Sequence, residues 1–226
     1  MRYIAKHDEP KKFRDWKALA NEDWKPSFDI LQNPEKTVLK ESLLDEQGYI
    51  CCYCETYIDV DTCHIEHFCP QSSSQSRSRA LDIDYNNMHC SCDGTDENES
   101  KKIIGLHCGK KKDDDFFKGL ISPLSKECQN RFIYPPTGEI GPADDEDIAA
   151  KRTIELLALD LPKLRSLRKA AIDAFLDPQI DDDEFIAFLH LSLQRNTERK
   201  FTPFISTIEY TFREFVHSPA SHPPRE

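Results

Sequence analysis

Eight of the nine cysteines of this 226-residue chain fall between Cys51 and Cys108. That clustering restricts the fold more than any other feature. The pair Cys51-x-x-Cys54 can present two sulfurs from one tight turn to a single ion, and a tetrahedral zinc site needs four such ligands at about 2.3 Å. The remaining two must come from downstream, where Cys90, Cys92 and Cys108 are available. Cys92 with Cys108 completes the set best, with Cys90 as the rival for the third position. The fifteen residues between Cys92 and Cys108 would then loop out from ends clamped by metal. Structural zinc contributes roughly 10–16 kcal/mol in small peptides, enough to hold a segment poor in apolar residues. The plainer alternative is a group of ordinary buried thiols, and Cys52, Cys63, Cys69 and Cys128 are read that way.

The start, MRYIAKHDEPKKF, has no apolar core of the kind that directs secretion, so metal or free thiols explain the cysteines better than disulfides, and a cytoplasmic location is expected. No run of about 18 apolar residues is present, so no membrane span is expected. A formal net charge of -11 argues at first against a nucleic-acid partner, because phosphate contacts need Lys and Arg. Distribution matters more than the sum. Much of the acid sits in DDED (144–147) and DDDE (181–184), outside the cysteine-rich part, whereas SRSR (76–79) and GKKKD (109–113) are basic.

Residues 1–48 read as an N-terminal helical segment, in which TVLKESLLDEQ places Val38, Leu39, Leu43 and Leu44 on one side. GYICCYCETYI reads as a strand or tight knuckle, PQSSSQSRSRA as a polar loop, LDIDYNNMHCSC as a short extended piece and DGTDENESKK as a loop. Together these make a core over 49–134. The prolines and glycines of PPTGEIGPADDED mark 135–147 as a linker. Over 148–217 the periodicity is helical, through Ile154, Leu157, Leu161, Leu164, Ala171 and Phe175, with a break or restart at Pro162. Thr202 as N-cap and Pro203 at the first helical position would open a last helix carrying Ile205, Ile208, Phe212 and Phe215 on one face. Residues 218–226 form a frayed tail.

Chemistry concentrates in HIEHFCP, residues 64–70. Glu66 and His67 are adjacent at what should be a strand end, so their side chains point to opposite faces. A carboxylate on one face can hold a hard divalent cation while a neutral imidazole on the other takes a proton from water, an arrangement suited to metal-assisted hydrolysis of a phosphodiester. Asn87 could orient the imidazole by a hydrogen bond and His107 could give the cation another ligand. His64 shares the face of Glu66 and is assigned a structural role in preference to a ligand role; His89 is read as a surface or packing residue and His190 as core or boundary. Lys110, Lys111 and Lys112 are either a solvated helix start or a grip on the phosphate backbone. Arg77 and Arg79 are weaker candidates, because a flexible loop loses more entropy on ordering.

The order C-x-x-C, Glu-His, Asn, Cys, His-Cys resembles that of the HNH endonucleases. GYICCYCE, HIEHFCPQS, LDIDYNNMHCSC and HCGKKKD look like the retron-associated subfamily, the PtuB type of the Septu anti-phage systems. MRYIAKHDEP and TIELLALDLPKLRSLRKA fit as well, so the likeness spans most of the chain. The resemblance implies an α+β fold, a ββα-metal nuclease core with a structural zinc site and helical additions on both sides. It implies His67 as general base, Glu66 as the metal-binding acid, Asn87 as the central asparagine, and Cys51, Cys54, Cys92 and Cys108 as zinc ligands. Many relatives carry an Asn or His just after the fourth cysteine; Gly109 stands there, and His107 is the natural substitute. The implied reaction uses Mg²⁺ or Mn²⁺ and leaves a 5′-phosphate. DNA is favoured over RNA as substrate, the implied partner is an ATPase subunit of the PtuA type docked on the C-terminal helices, and retron RNA or DNA could take part. The rivals are an RNA-cleaving version of the same site and a non-catalytic zinc adaptor.

Overall fold

Chain direction changes sharply at Gly48, and the cysteine-rich half is built from that turn. Helix α2 (Glu35–Gln47) ends there, with Gly48 in the left-handed region at φ 63°. A Cβ at this position would collide with the Phe201 ring, so both backbone conformation and close packing require glycine. The computed structural model describes residues 1–72, 81–97, 103–176 and 181–216. Arg77, Arg79 and the 218–226 tail lie outside them.

After Gly48 the chain makes a knuckle, closed by a bridge between Ile50 and Tyr57 and by Cys51 N–H donating to the Thr56 carbonyl at 2.8 Å. Strand β1 (Cys63–His67) then pairs antiparallel with β2 (Met88–Cys92), with Cys63 opposite Cys92 and His67 opposite Met88. The short helix α3 (Cys108–Lys112) packs on β2. Helix α2 covers the same strand, and Gln47 joins the two: its amide donates to the carbonyls of Ile50 and Cys90 and accepts from the Cys90 N–H. The result is a mixed helix-and-sheet architecture whose sheets are two-stranded among the described residues.

One apolar cluster runs through the molecule, from Leu39, Leu43 and Leu44 of α2 through Tyr53, Ile58 and Met88 to Ala150, Leu157, Leu159 and Leu164. The last four belong to α4 (Ile148–Leu156), α5 (Pro162–Asp173) and the turn between them. A smaller cluster gathers Ile172, Phe175, Leu189, Ile208 and Phe212. The cysteine half and the C-terminal helices also meet through the backbone, where Cys108 N–H donates to the Leu157 carbonyl at 2.8 Å.

Several expectations need revision. The first 48 residues are not continuously helical; α1 (Lys11–Lys17) and α2 are separated by a 3-10 turn and by Pro34. The stretch 93–102 is not simply loop, since β3 (Thr95–Glu97) pairs with β4 (Ile103–Leu106). In 135–147, read as a linker, Gly141 and Pro142 pair with Phe132 and Ile133, and Ile140 is buried in the main core. Pro162 does begin a new helix. Thr202 does not cap the next one: its hydroxyl donates to the Ser192 carbonyl, and the helix starts at Ile205 after Phe204 in the left-handed region. Among the described residues no helix is long and apolar enough to cross a membrane.

Candidate active site and metal centre

The knuckle, the end of β2 and the start of α3 converge on one point. The sulfurs of Cys51, Cys54, Cys92 and Cys108 all lie within 4.8 Å of one another and are the metal-ligating cluster of three or more such residues found among the described residues. Cys54 and Cys92 Sγ are 3.8 Å apart. Tetrahedral zinc–sulfur bonds of about 2.3 Å require an edge of about 3.8 Å, which this pair matches, so the cluster is of the size that a zinc ion needs. Cys90, the rival, points away and donates to the Lys40 carbonyl at 3.7 Å.

Without a cation the four thiols share their protons unevenly. Burial alone would raise Cys51 and Cys54, but sulfhydryl donation from Cys108 overcomes it; Cys51 falls well below its usual range and Cys54 to about 6. Cys108 rises through burial and through its donation to those two, and Cys92 rises although Cys108 donates to it, because Cys51 and Cys54 hold the negative charge. Four thiolates in contact can coexist only around a cation. The Cys92 N–H, donating to Cys51 Sγ at 3.4 Å, and the Thr56 hydroxyl, 3.2 Å from Cys54 Sγ, supply the outer hydrogen bonds such a site uses.

The second centre lies at the far end of β1. Glu66 is buried, and its Oε1 accepts from the Tyr53 hydroxyl at 3.1 Å and from Lys112 Nζ at 2.8 Å. Burial would raise its carboxyl, but His64 and the Lys112 ammonium outweigh that and hold it below the usual range, so it is ionised. Tyr53 is pushed well up by burial and by Glu66, and so remains a donor. Sequence reasoning missed Tyr53, although its place between the two knuckle cysteines is a signal, because the turn that aims the sulfurs also aims the ring.

His67 faces the other way, as strand alternation requires. Its Nε2 lies 2.9 Å from the Asp82 carbonyl oxygen. A carbonyl can only accept, so Nε2 carries the hydrogen and Nδ1 keeps its lone pair. Phe28 packs edge-on against the imidazole at 4.6 Å, and the Asp82 carboxylate in turn receives the Phe28 N–H at 3.2 Å. Burial lowers the basicity of His67, and the Asp82 carbonyl and Glu66 only partly restore it, so the ring is neutral near pH 7. Neither Phe28 nor Asp82 could be singled out beforehand, since their roles come from backbone positions set by tertiary packing.

Asn87 acts differently from expectation. It does not touch the imidazole. Its Oδ1 accepts from Cys69 N–H at 2.8 Å, and its Nδ2 donates to the carbonyls of Cys69 and Leu81 at 3.0 and 2.9 Å. It thus clasps Cys69 to Leu81, the residue before Asp82. Of the three lysines, Lys110 and Lys111 are exposed. Lys112 is not a solvated phosphate grip: it is 1% exposed and its ammonium, besides binding Glu66, donates to the His67 carbonyl at 3.1 Å. His107 is buried at the start of α3, where it lines a cleft with Gly94, Thr95 and Lys163. It does not join His64 and Glu66 in a group within 4.8 Å of one another. His89, on β2, is fully buried and neither ring nitrogen has a partner.

No protein-family model matches the chain. Over 145 residues, 62% of its length, the chain is 30% identical to a protein of Vibrio cholerae serotype O1 biovar El Tor described as "Retron Vc95 putative HNH endonuclease", of which it spans 66%. The chain is thus similar to a protein described as a putative HNH endonuclease and spans a little under two thirds of that protein's length.

Proposed function

We propose that the protein is a metal-dependent HNH endonuclease that hydrolyses phosphodiester bonds, with DNA the favoured substrate, and that it serves as the nuclease of an anti-phage defence system beside an ATPase subunit. One observation carries the nuclease reading: a neutral imidazole locked with Nδ1 as its free acceptor stands back to back with an ionised, buried carboxylate. A zinc scaffold without catalysis has no use for such a pair. The defence reading follows the retron named in the similar protein.

In this mechanism His67 Nδ1 accepts a proton from the attacking water as its oxygen bonds to phosphorus. The bond from phosphorus to the 3′ oxygen breaks, leaving a 5′-phosphate, and the 3′ oxygen takes a proton from solvent. The Asp82 carbonyl, holding the Nε2 hydrogen, stabilises the imidazolium that forms. Glu66 would hold a divalent cation, which would supply neutralisation of the charge that develops during the reaction. Zinc at the four cysteines supplies structure only. Lys110 and Lys111, both exposed, would meet neighbouring phosphates.

The test compares the wild-type protein with His67→Ala on plasmid DNA and on total tRNA, with and without Mn²⁺ and with the ATPase added. Loss of a general base costs about 10²–10⁴-fold, so nicking by the variant should fall by that factor. Equal cleavage by both proteins rejects His67 as the base; cleavage of tRNA alone replaces DNA with RNA as substrate.

A further inference from the structure

Strand β1 carries a second side chain on the face of Glu66. His64 Nε2 lies 3.7 Å from Glu66 Oε2, with the His64 side chain 27% exposed. That separation is too long for a hydrogen bond. Bonds of about 2.1 Å set two ligands about 3.0 Å apart at about 90° and about 3.6 Å apart at about 120°, so the two atoms stand close to the spacing of ligands on one hard cation. Glu66 is not free to turn its Oε2 elsewhere, because Tyr53 and Lys112 hold Oε1.

Gly109 explains why the gap stays open. A Cβ built on it would lie 2.6 Å from Glu66 Oε2 and 2.6 Å from His64 Nε2. Its backbone is not in the left-handed region, so no conformational demand selects glycine here. What remains is space: the backbone of α3 floors the gap, and any side chain would fill it. The Gly109 N–H is already used, donating to Ser91 Oγ at 3.1 Å. His64 Nδ1 is buried without a partner, so no protein hydrogen bond through that nitrogen accounts for the ring's placement.

We propose that His64 Nε2 and Glu66 Oε2 together bind the divalent cation, with water and the substrate phosphate completing its shell, and that His107 is not a ligand. Gly109 removes the side chain that helix α3 would otherwise contribute, and His64 reaches the same spot from the strand. The inference rests on Glu66 being the metal-binding acid.

Zinc-loaded full-length protein is titrated with Mn²⁺, free Mn²⁺ being followed by electron paramagnetic resonance. Wild type is compared with His64→Ala, His107→Ala, Gly109→Ala and Glu66→Gln, each checked for zinc content and thermal transition. His64→Ala should weaken Mn²⁺ binding by about tenfold or more, a loss of about 1.4 kcal/mol or more, and Gly109→Ala should weaken it as well. His107→Ala should bind as wild type does. Pulsed spectra should show nitrogen coupling to the bound Mn²⁺ that disappears in His64→Ala alone. Unchanged binding in His64→Ala, or nitrogen coupling lost in His107→Ala instead, overturns the His64 assignment while leaving Glu66 in place. Unchanged binding in Glu66→Gln, or none in wild type, overturns the Glu66 reading beneath it.

Discussion

Asn87 shows how a polar residue can matter to a site without touching its chemistry. Three hydrogen bonds from one amide, two of them fully buried, hold Cys69 to Leu81, the neighbour of the Asp82 whose carbonyl sets the His67 tautomer. Replacing it with alanine strands two carbonyls and an N–H, at about 1–3 kcal/mol for each buried group left unbonded. Asn87→Ala should therefore lower the denaturation midpoint and reduce nicking together, while zinc content stays at the wild-type level; a variant with full activity would show that the loop does not need its clasp. At this scale Glu66 and His67 were legible because strand alternation alone separates their faces. Lys112 was not. A lysine in a basic run looks like solvated surface, and only the helix turn that swings it under Glu66 reveals a buried counter-charge.

The knuckle, hairpin and short helix are elements that would not persist individually. Helix α3 spans five residues, far below the length at which an isolated helix is stable, and an isolated two-stranded sheet is marginal. Four sulfurs fasten all three. Removing zinc with a strong chelator should release one equivalent per chain, detected with a metallochromic dye, and should abolish the cooperative thermal transition of this half. A protein that keeps its transition after complete zinc loss would refute the clamp. Cysteine spacing made this centre readable in advance, since few arrangements of C-x-x-C and later cysteines satisfy a tetrahedron. The β3–β4 hairpin was unreadable for the opposite reason: DGTDENE lacks the apolar alternation that marks a strand.

Across the whole molecule, the 135–147 stretch misled because its prolines and glycines signal turns equally well in a linker and in a packed hairpin. Arg168 settles which it is. It is 1% exposed, and its guanidinium donates to the carbonyls of Gly138 and Leu159 at 3.2 and 2.7 Å. Arg168→Leu should cost about 2–6 kcal/mol through the two carbonyls left unbonded and should expose 135–147 to proteinase K. Resistance equal to wild type would mean that the stretch is held by other contacts. The backbone hydrogen bond from Cys108 to Leu157 has a broader consequence. Leu157 sits in the bend between two helices that lie outside the cysteine-rich half, yet a single N–H ties it to Cys108, the fourth sulfur of the cluster and the neighbour of Gly109. A partner that displaced this bend would therefore pull on Cys108 through a single hydrogen bond.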